Sequence, residues 1–230
     1  MLLHIPQVLD GEQVARMRAA LAAAEWVDGR QTVGVQGAAV KRNLQLAEDS
    51  ALRRELGAQV LAALACNPLY FASVLPLRTM LPRFNRYQGG GEYGAHVDGA
   101  VMALPVETGE APAQLRSDVS CTLFLAEPDS YDGGELLIDD TYGEHEVKLP
   151  AGDLIVYPSS SLHRVAPVTR GSRLAAFFWV QSLVRDQAQR QMLLQLDTTI
   201  QELTRTGADR NALLRLTGIY HNLLRRWSET

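Results

Sequence analysis

The chain has 230 residues, of which 47% are hydrophobic, and a formal net charge of −4 at pH 7. A chain of this length buries roughly 70% of the surface that it exposes when unfolded, so its stability requires neither disulfides nor a structural metal. The slightly acidic balance argues against a general binder of nucleic acid or of an acidic membrane surface. Only Lys41 and Lys148 of the 22 basic residues are lysine, a skew that we attribute to genomic composition.

The two cysteines, Cys66 and Cys121, are predicted to be buried free thiols, since no CxxC motif is present. The N-terminus MLLHIPQVLDGEQ lacks the basic and long apolar segments of a signal peptide, and no run of 18 apolar residues follows. We therefore expect a cytoplasmic protein in a reducing compartment.

Residues 1–77 are predicted to be mainly helical. Asp10 and Gln13 have the spacing of a capping box, and apolar residues follow at helical intervals. The segment SALRRELGAQVLAALAC predicts a second helix that ends before an Asn-Pro pair. Residues 30–46 fit either a strand or a loop.

Residues 78–182 change character, because short alternating or apolar runs are separated by turn signals about every ten residues. Eight strands are predicted, in TMLPRFNRY, AHVDGAV, DVSCTLFLAE, GELLID, EHEVKLP, GDLIVYP, LHRVAPV and SRLAAFFWVQS. So many short strands without an intervening helix favour a β-sandwich or jelly roll.

Residues 183–230 return to helix. Two segments with apolar stripes are separated by Gly207, and Asp209 is placed to cap the second. Such a hairpin is expected to pack on the β core or on a second subunit, which would make a homodimer.

The stretch GGGEYGAHVDGAV places His96 and Asp98 two residues apart, so that on a strand both side chains point to one face. His163, at the start of the strand in LHRVAPV, is the best-placed third partner; His4, His145 and His221 lie in terminal or surface elements. Two histidines and one carboxylate form the facial triad of non-heme Fe(II) oxygenases, which leaves positions open for oxygen and a chelating co-substrate. The glycines before His96 are expected to form a flexible turn at the mouth of the site, since no Lys-Ser/Thr follows as in a phosphate-binding loop.

Arg173 follows His163 by ten residues, with a tight turn at Arg170-Gly171 between them. In a jelly roll this connection brings both residues to one cavity. A guanidinium can hold a carboxylate with two parallel hydrogen bonds, so a metal at one end and Arg173 at the other fit 2-oxoglutarate.

The segments YQGGGEYGAHVDGA, DVSCTLFLAEPDSYDGGEL and PAGDLIVYPSSSLHRVAPVTRGSR together resemble the Fe(II)/2-oxoglutarate dioxygenases of the prolyl-hydroxylase branch, and more narrowly the bacterial PKHD-type hydroxylases. The resemblance spans nearly the whole chain. It implies a double-stranded β-helix, iron ligation by His96, Asp98 and His163, and binding of 2-oxoglutarate by Arg173, with no catalytic side chain beyond the metal centre. It also implies a requirement for ascorbate (vitamin C) and a link to iron uptake and homeostasis.

The expected fold class is therefore α+β with a mainly β core, a jelly roll. An N-terminal helical support region comprises residues 1–77, a dioxygenase domain residues 78–182, and a helical extension residues 183–230.

Strand parity adds further candidates around the site. Eukaryotic prolyl hydroxylases often have tyrosine where this chain has Phe124, which cannot donate a hydrogen bond to 2-oxoglutarate; Tyr87 or Thr122 is expected to do so instead. If Tyr87 faces the cavity, as the resemblance implies, Arg83 and Asn85 share its face and become candidate substrate contacts. Substrate-pocket positions are also expected for Phe124, which shares a face with Thr122, and Trp179, which shares one with Arg173.

The predicted function is hydroxylation of a substrate coupled to oxidative decarboxylation of 2-oxoglutarate to succinate. The substrate is a small molecule, such as a siderophore, or a peptide side chain. One rival is a non-catalytic sensor of iron or 2-oxoglutarate that acts through the C-terminal helices. Another is a metal hydrolase, since zinc accepts the same ligands, although this leaves Arg173 unexplained. No nucleic acid or membrane partner is expected.

Overall fold

The computed structural model describes residues 1–32, 34–104 and 113–229. Two antiparallel sheets form its core and enclose a cavity, and helices cover the outer side of the larger sheet. This is the mainly β, α+β architecture predicted from the sequence, and seven of the eight predicted strands are present. The eighth, AHVDGAV, is wrong as one strand: its first two residues end the strand Glu92–His96, its last residue begins Val101–Ala103, and Asp98 lies in the loop between them.

The strands are short, and most begin or end at the turn signals visible in the sequence. They are β1 (Leu3–Ile5), β2 (Val27–Asp28), β3 (Lys41–Arg42), β4 (Leu44–Gln45), β5 (Pro76–Thr79), β6 (Arg83–Gln88), β7 (Glu92–His96), β8 (Val101–Ala103), β9 (Gln114–Arg116), β10 (Val119–Phe124), β11 (Asp132–Gly133), β12 (Leu136–Asp140), β13 (Gly143–Val147), β14 (Leu154–Pro158), β15 (His163–Val165), β16 (Val168–Arg170) and β17 (Ser172–Ser182). The helices are α1 (Gly11–Ala22), α2 (Val35–Val40), α3 (Ala51–Ala65), α4 (Pro68–Val74), α5 (Gln187–Arg205) and α6 (Arg210–Trp227).

The larger sheet has eight strands in the order β1-β14-β10-β17-β6-β4-β2, with β5 also paired to β17. Its central strand β10 is buried along its whole length. Val119, Cys121 and Leu123 pack into the core beneath α1 and α3, whereas Phe124 packs into the core between the sheets. The side chains of this strand therefore alternate between the two faces of the sheet, and each face has its own apolar layer.

The second sheet has five strands in the order β13-β12-β15-β7-β3, and β11-β16 and β8-β9 form two small additional sheets. Its register brings His163 of β15 opposite His96 of β7. In the larger sheet, Arg173 of β17 lies opposite Tyr87 of β6. The two sheets thus carry His96, His163, Arg173 and Tyr87 on the sides that face the cavity.

The N-terminal helices begin and end where the capping signals predict. The Asp10 carboxylate accepts a hydrogen bond from the Gln13 backbone, and the Gln13 side chain accepts one from the Asp10 backbone, which completes the capping box. Ser50 caps α3, and Asn67 caps the additional helix α4. Apolar residues of α1, α3 and α4 pack into the core of the larger sheet.

The C-terminal helices form a hairpin that packs beside α4 and the end of β17. Asp209 caps α6 as predicted. Leu75, Val184 and Leu193 form a buried cluster, against which partly buried residues of α6 pack. The last residues return to the β core, since the backbone N–H of Glu229 donates to the carbonyl of Leu183 at 2.8 Å.

One prediction about the cysteines is wrong. Cys121 is buried, but Cys66 is exposed, because it is the C-terminal capping residue of α3 and lies outside that helix's apolar stripe. In residues 30–46 the structure has a turn of 3-10 helix (Gly29–Thr32), α2, β3 and β4, with Val33 outside the described residues.

Among the described residues, no single helix has both the length and the apolar character needed to cross a membrane. The pair α3 and α4 meets these criteria only jointly, is bent by 86°, and packs its apolar residues into the protein core.

Candidate functional site

A cavity of about 610 Å³ lies between the two sheets, and we call it the intersheet cavity. Cavities of this size are typical of sites for small molecules. The predicted site residues that line it are Arg83, Asn85, Tyr87, His96, Asp98, Thr122, His163, Arg173 and Trp179.

His96, Asp98 and His163 come together at one wall of this cavity, with their potential ligand atoms within 4.8 Å of one another. The Nε2 atom of His96 lies 4.0 Å from one Asp98 oxygen, and Nε2 of His163 lies 3.8 Å from the other. Asp98 follows the end of β7 instead of lying within the strand, so its carboxylate reaches the cluster from the loop. Two imidazoles and a carboxylate are a donor set that suits a divalent transition metal.

Backbone carbonyls orient both imidazole rings. Nδ1 of His96 lies 2.8 Å from the carbonyl oxygen of Gly94, and Nδ1 of His163 lies 3.0 Å from that of Ser161. Because a carbonyl oxygen only accepts, each Nδ1 must be the protonated donor, and each Nε2 keeps its lone pair directed at the cluster. Burial, and then the neighbouring His163 ring, lower the pKa of His96 well below its usual value, so the ring is in the neutral form that binds metals.

Neighbouring side chains fix the three groups in place. The Ser120 hydroxyl donates to an Asp98 oxygen at 2.6 Å and lies 2.8 Å from the Ser159 hydroxyl. Tyr93 stacks on the His96 ring, with 3.6 Å between ring centroids, and Tyr157 meets the His163 ring edge-on at 5.1 Å. Sequence analysis did not predict these supporting roles, although the alternation of side chains along β10 places Ser120 on the same face as Thr122.

Arg173 lies at a second position in the cavity and is almost fully buried, at 1% exposure. Its guanidinium carbon is 5.4 Å from the centre of the Tyr87 ring and 5.2 Å from that of Phe124. Its Nε has no hydrogen-bond partner within the described part of the chain. No carboxylate of residues 1–32, 34–104 and 113–229 forms an ion pair with it.

Gly134 gives Arg173 its space. The φ angle of Gly134 is +70°, and a Cβ there would lie 3.0 Å from Cδ of Arg173 and 2.8 Å from a methyl carbon of Val168. Any other residue would be strained and would displace the arginine. The signal was present in the sequence as the Gly-Gly pair in SYDGGEL.

Lys41 lies at a third position and was missed as a site residue. Its strand β3 pairs with β7, with Lys41 opposite Tyr93, and its side chain is 2% exposed. Nζ donates to Oγ1 of Thr32 at 3.1 Å and lies 5.1 Å from the centre of the Tyr93 ring and 5.9 Å from that of Phe177. Burial, and then the Arg83 guanidinium, lower the pKa of Lys41 to about 8. Its rarity was the available signal, since it is one of only two lysines among 22 basic residues.

Two predictions about this region need correction. Phe124 does not line the intersheet cavity, because it is fully buried at the end of β10 and packs against Arg173. The turn at residues 89–91 does not line it either, and it is held in place: the N–H of Gly90 donates to the carbonyl of Val168 at 2.8 Å. The histidines set aside in the sequence, His4, His145 and His221, also lie outside the cavity lining.

Comparison with known proteins places the chain among relatives over its whole length. Residues 82–181 match the model of the 2OG-Fe(II) oxygenase superfamily, and residues 187–229 match that of the PKHD-type hydroxylase C-terminal domain. A PKHD-type hydroxylase of Xylella fastidiosa strain M12 is 68% identical over 230 residues, which is 100% of both chains. Those of Stenotrophomonas maltophilia strain R551-3 and Janthinobacterium sp. strain Marseille are 65% and 58% identical, and the matches cover at least 99% of each chain.

Solved structures show the same fold at much lower identity. A Pseudomonas putida prolyl-4-hydroxylase matches with a TM-score of 0.52 and 22% identity, over 79% of this chain and 92% of that one. HygX from Streptomyces hygroscopicus, crystallised with nickel, 2-oxoglutarate and hygromycin B, matches with a TM-score of 0.52 and 16% identity, over 80% and 84%.

Proposed function

Since the chain belongs to the PKHD-type hydroxylases of the 2-oxoglutarate–Fe(II) oxygenase superfamily, we propose that His96, Asp98 and His163 bind its iron and that Arg173 binds 2-oxoglutarate. The enzyme is a 2-oxoglutarate-dependent dioxygenase. One observation carries the residue assignments: a single cavity holds both the two-imidazole, one-carboxylate cluster and a buried guanidinium that has no carboxylate partner among the described residues.

The side chains present fit Fe(II). Both Nε2 atoms are directed at the Asp98 carboxylate, and both rings are held by backbone carbonyls. The Ser120 hydroxyl occupies one lone pair of Asp98 and so restricts rotation of the carboxylate. Three protein ligands on one face suit an iron that must also accept a co-substrate and oxygen.

The chemistry is divided between the bound groups and the chain. With iron and 2-oxoglutarate bound, dioxygen would be the oxidant: one of its oxygen atoms would enter the substrate C–H bond and the other would appear in succinate, with release of carbon dioxide. The residues of the chain position the reactants: Tyr93 and Tyr157 restrict the two imidazoles, while the apolar side chains of Phe177 and Trp179 keep water from part of the cavity.

Arg173 is suited to the distal carboxylate of 2-oxoglutarate. A buried guanidinium without a counter-charge is costly, and a bidentate carboxylate would satisfy both its charge and its hydrogen-bond donors. Tyr87 and Thr122, which line the same cavity, are the proposed additional donors to this carboxylate in place of the hydroxyl that Phe124 lacks. Arg83, Asn85 and Trp179 are the proposed substrate contacts.

The wider role proposed here rests on family membership. Ascorbate would keep the iron reduced, and the hydroxylation would serve iron uptake or homeostasis in the cytoplasm. The substrate is a small molecule, such as a siderophore, or a peptide side chain; nucleic acid and membrane partners are not proposed. Exposed apolar residues on the C-terminal hairpin, including Leu214 and Ile219, support a homodimer through these helices.

The assignment is tested by removing one metal ligand and one unrelated histidine. His163→Ala should abolish binding of Fe(II), measured by equilibrium dialysis, and formation of succinate from 2-oxoglutarate. His145→Ala is the matched control, since His145 pairs with Asp140 at the surface, and it should keep both properties. Wild-type iron binding and succinate formation by His163→Ala would show that the metal is held elsewhere.

The substrate can be sought with the wild-type enzyme. Incubation of iron-loaded protein and 2-oxoglutarate with a cell extract should yield a product heavier than its precursor by one oxygen atom, detected by mass spectrometry. His163→Ala should yield none.

A further inference from the structure

The intersheet cavity contains a cation, Lys41, that is assigned neither to iron nor to 2-oxoglutarate. Lys41 is buried there, and the neutral Thr32 hydroxyl is the one hydrogen-bond partner of Nζ in residues 1–32, 34–104 and 113–229. Within the described parts of the chain, no carboxylate lies within 4.0 Å of Nζ. Its contacts with the Tyr93 and Phe177 rings offset only part of the cost of burying the charge.

Lys41 and Arg173 lie at different levels of the cavity. On β17, Arg173 is four residues before Phe177, the ring that contacts Lys41, a separation of about 13 Å along a strand. Arg173 packs between Tyr87 and Phe124. The positive charge that most lowers the pKa of Lys41 is instead that of Arg83, which lies opposite Phe177 in the sheet.

The side chains around Lys41 also carry buried polar atoms that a ligand can contact. Arg83 is paired with the half-exposed Glu48, yet its Nε has no hydrogen-bond partner. The Asn85 side-chain oxygen, buried on the same face of β6, has none either. Asp98 attracts Lys41, but its oxygens are directed at the two histidines and Ser120. A polar group of a bound substrate would supply partners for both of these atoms.

We infer that the substrate carries a carboxylate and that the Lys41 ammonium binds it, with Arg83 and Asn85 as neighbouring polar contacts. The apolar body of the substrate then lies against Met102, Phe177 and Trp179, which line the same cavity. This inference rests on the proposed function, because it assigns Arg173 to 2-oxoglutarate. It places a second, separate anion site within reach of the metal cluster.

The test uses nickel-loaded protein saturated with 2-oxoglutarate, so that the Arg173 site is filled and no turnover occurs. Isothermal titration calorimetry compares 3-phenylpropionate with 3-phenylpropionamide, which differ only in the charged group. A second arm compares acetyl-Gly-Glu-Gly-amide with its glutamine counterpart. In one arm or both, the acid should bind about tenfold more tightly than its amide, as expected for a charge-assisted hydrogen bond.

Lys41→Met should remove this preference, and Lys41→Arg should keep part of it. Lys148→Met is the matched control, since it removes the only other lysine, which contacts Tyr131 and Glu135 outside the cavity lining. A preference in the first arm assigns a small organic acid; a preference in the second alone assigns an acidic peptide. Both outcomes support the carboxylate site.

Equal affinity for acid and amide in both arms, including no measurable binding, would overturn the inference. An acid preference that survives Lys41→Met would do the same. A separate titration of the nickel-loaded protein with 2-oxoglutarate distinguishes failure of the proposed function from failure of the Lys41 inference. If 2-oxoglutarate does not bind, the proposed function fails. The Lys41 site is still judged by the acid–amide comparison.

Discussion

Replacing Lys41 with methionine is expected to make the metal-free protein more stable at neutral pH. Burial and the nearby Arg83 lower the pKa of Lys41 from 10.5 to about 8. This difference of about 2.5 between the unfolded and folded chain corresponds to a cost of about 3 kcal/mol for burying the ammonium. Methionine keeps most of the apolar stem and carries no charge.

The net gain is smaller, because the hydrogen bond to Thr32 is lost. That bond contributes about 1 kcal/mol. The Thr32 hydroxyl keeps its contacts with the Gln45 side chain at 2.6 Å and the Gly29 carbonyl at 2.9 Å, so it is not left unpaired. We therefore expect Lys41→Met to raise the free energy of unfolding by about 2 kcal/mol.

The pH dependence of the stability gain tests whether the buried charge of Lys41 causes it. Below pH 8 both the folded and the unfolded chain hold the proton, so the full cost of the buried charge is present. Between pH 8 and 10.5 the unfolded chain binds more protons than the folded chain, so the stability of the wild type rises with pH. The electrostatic advantage of Lys41→Met should therefore fall from about 3 kcal/mol at pH 7 to about 1 kcal/mol at pH 10.

Urea denaturation at pH 7 and pH 10, in the presence of EDTA, measures this difference. Lys148→Met should show no comparable gain at pH 7, because Lys148 already has Glu135 as a partner. A Lys41→Met protein that is less stable than the wild type at pH 7, or whose advantage is the same at both pH values, would refute the reasoning.

The remaining predictions concern the co-substrate, the metal and the C-terminal hairpin. Arg173→Leu should raise the apparent KM for 2-oxoglutarate about 10- to 150-fold in a succinate assay without loss of bound iron, and Arg173→Lys should recover only part, since a point charge cannot make the bidentate contact. Ser120→Ala should weaken Fe(II) binding about tenfold by dialysis, because Asp98 loses the donor that orients it, with little change in the thermal midpoint. Truncation after Ser182 should yield aggregated or less stable protein, because it uncovers the buried cluster around Leu75; a soluble truncated protein with an unchanged melting temperature would contradict this.

The period of two in β-strands explains why most of the cavity wall could be predicted from the sequence. On β6 it places Arg83, Asn85 and Tyr87 on one face, and all three line the cavity. This alternation is a local property of the backbone and holds whichever strand lies alongside. Phe124 shows its limit: the residue has the parity of Thr122, but it lies one step further along β10, where the cavity has ended and Arg173 covers it.

Lys41 could not be predicted in the same way. It lies in a strand of two residues within residues 30–46, a segment too short and irregular to show a period. Its burial depends on pairing with Tyr93, more than fifty residues later in the chain. A long-range contact of this kind leaves no pattern in the local sequence, and a single lysine is usually a solvated side chain. The exposure of Cys66 was missed for a related reason. Whether a residue at the end of a helix is buried depends on which other segments pack against that end.

The three cationic side chains that the structure describes along the cavity differ in their partners, and this difference supports the roles proposed for them. Arg173 and Lys41 each lie near two aromatic rings, whereas Arg83 is paired with Glu48 as well as lying 5.6 Å from the centre of the Trp179 ring. An aromatic face attracts a cation without occupying its hydrogen-bond donors, but a carboxylate partner takes both charge and donors. The first two cations are therefore held in place and remain available to anionic ligands, one at each level of the cavity. Arg83 already has Glu48 as its carboxylate partner, which suits it to shape the substrate end of the cavity and not to anchor a charge there.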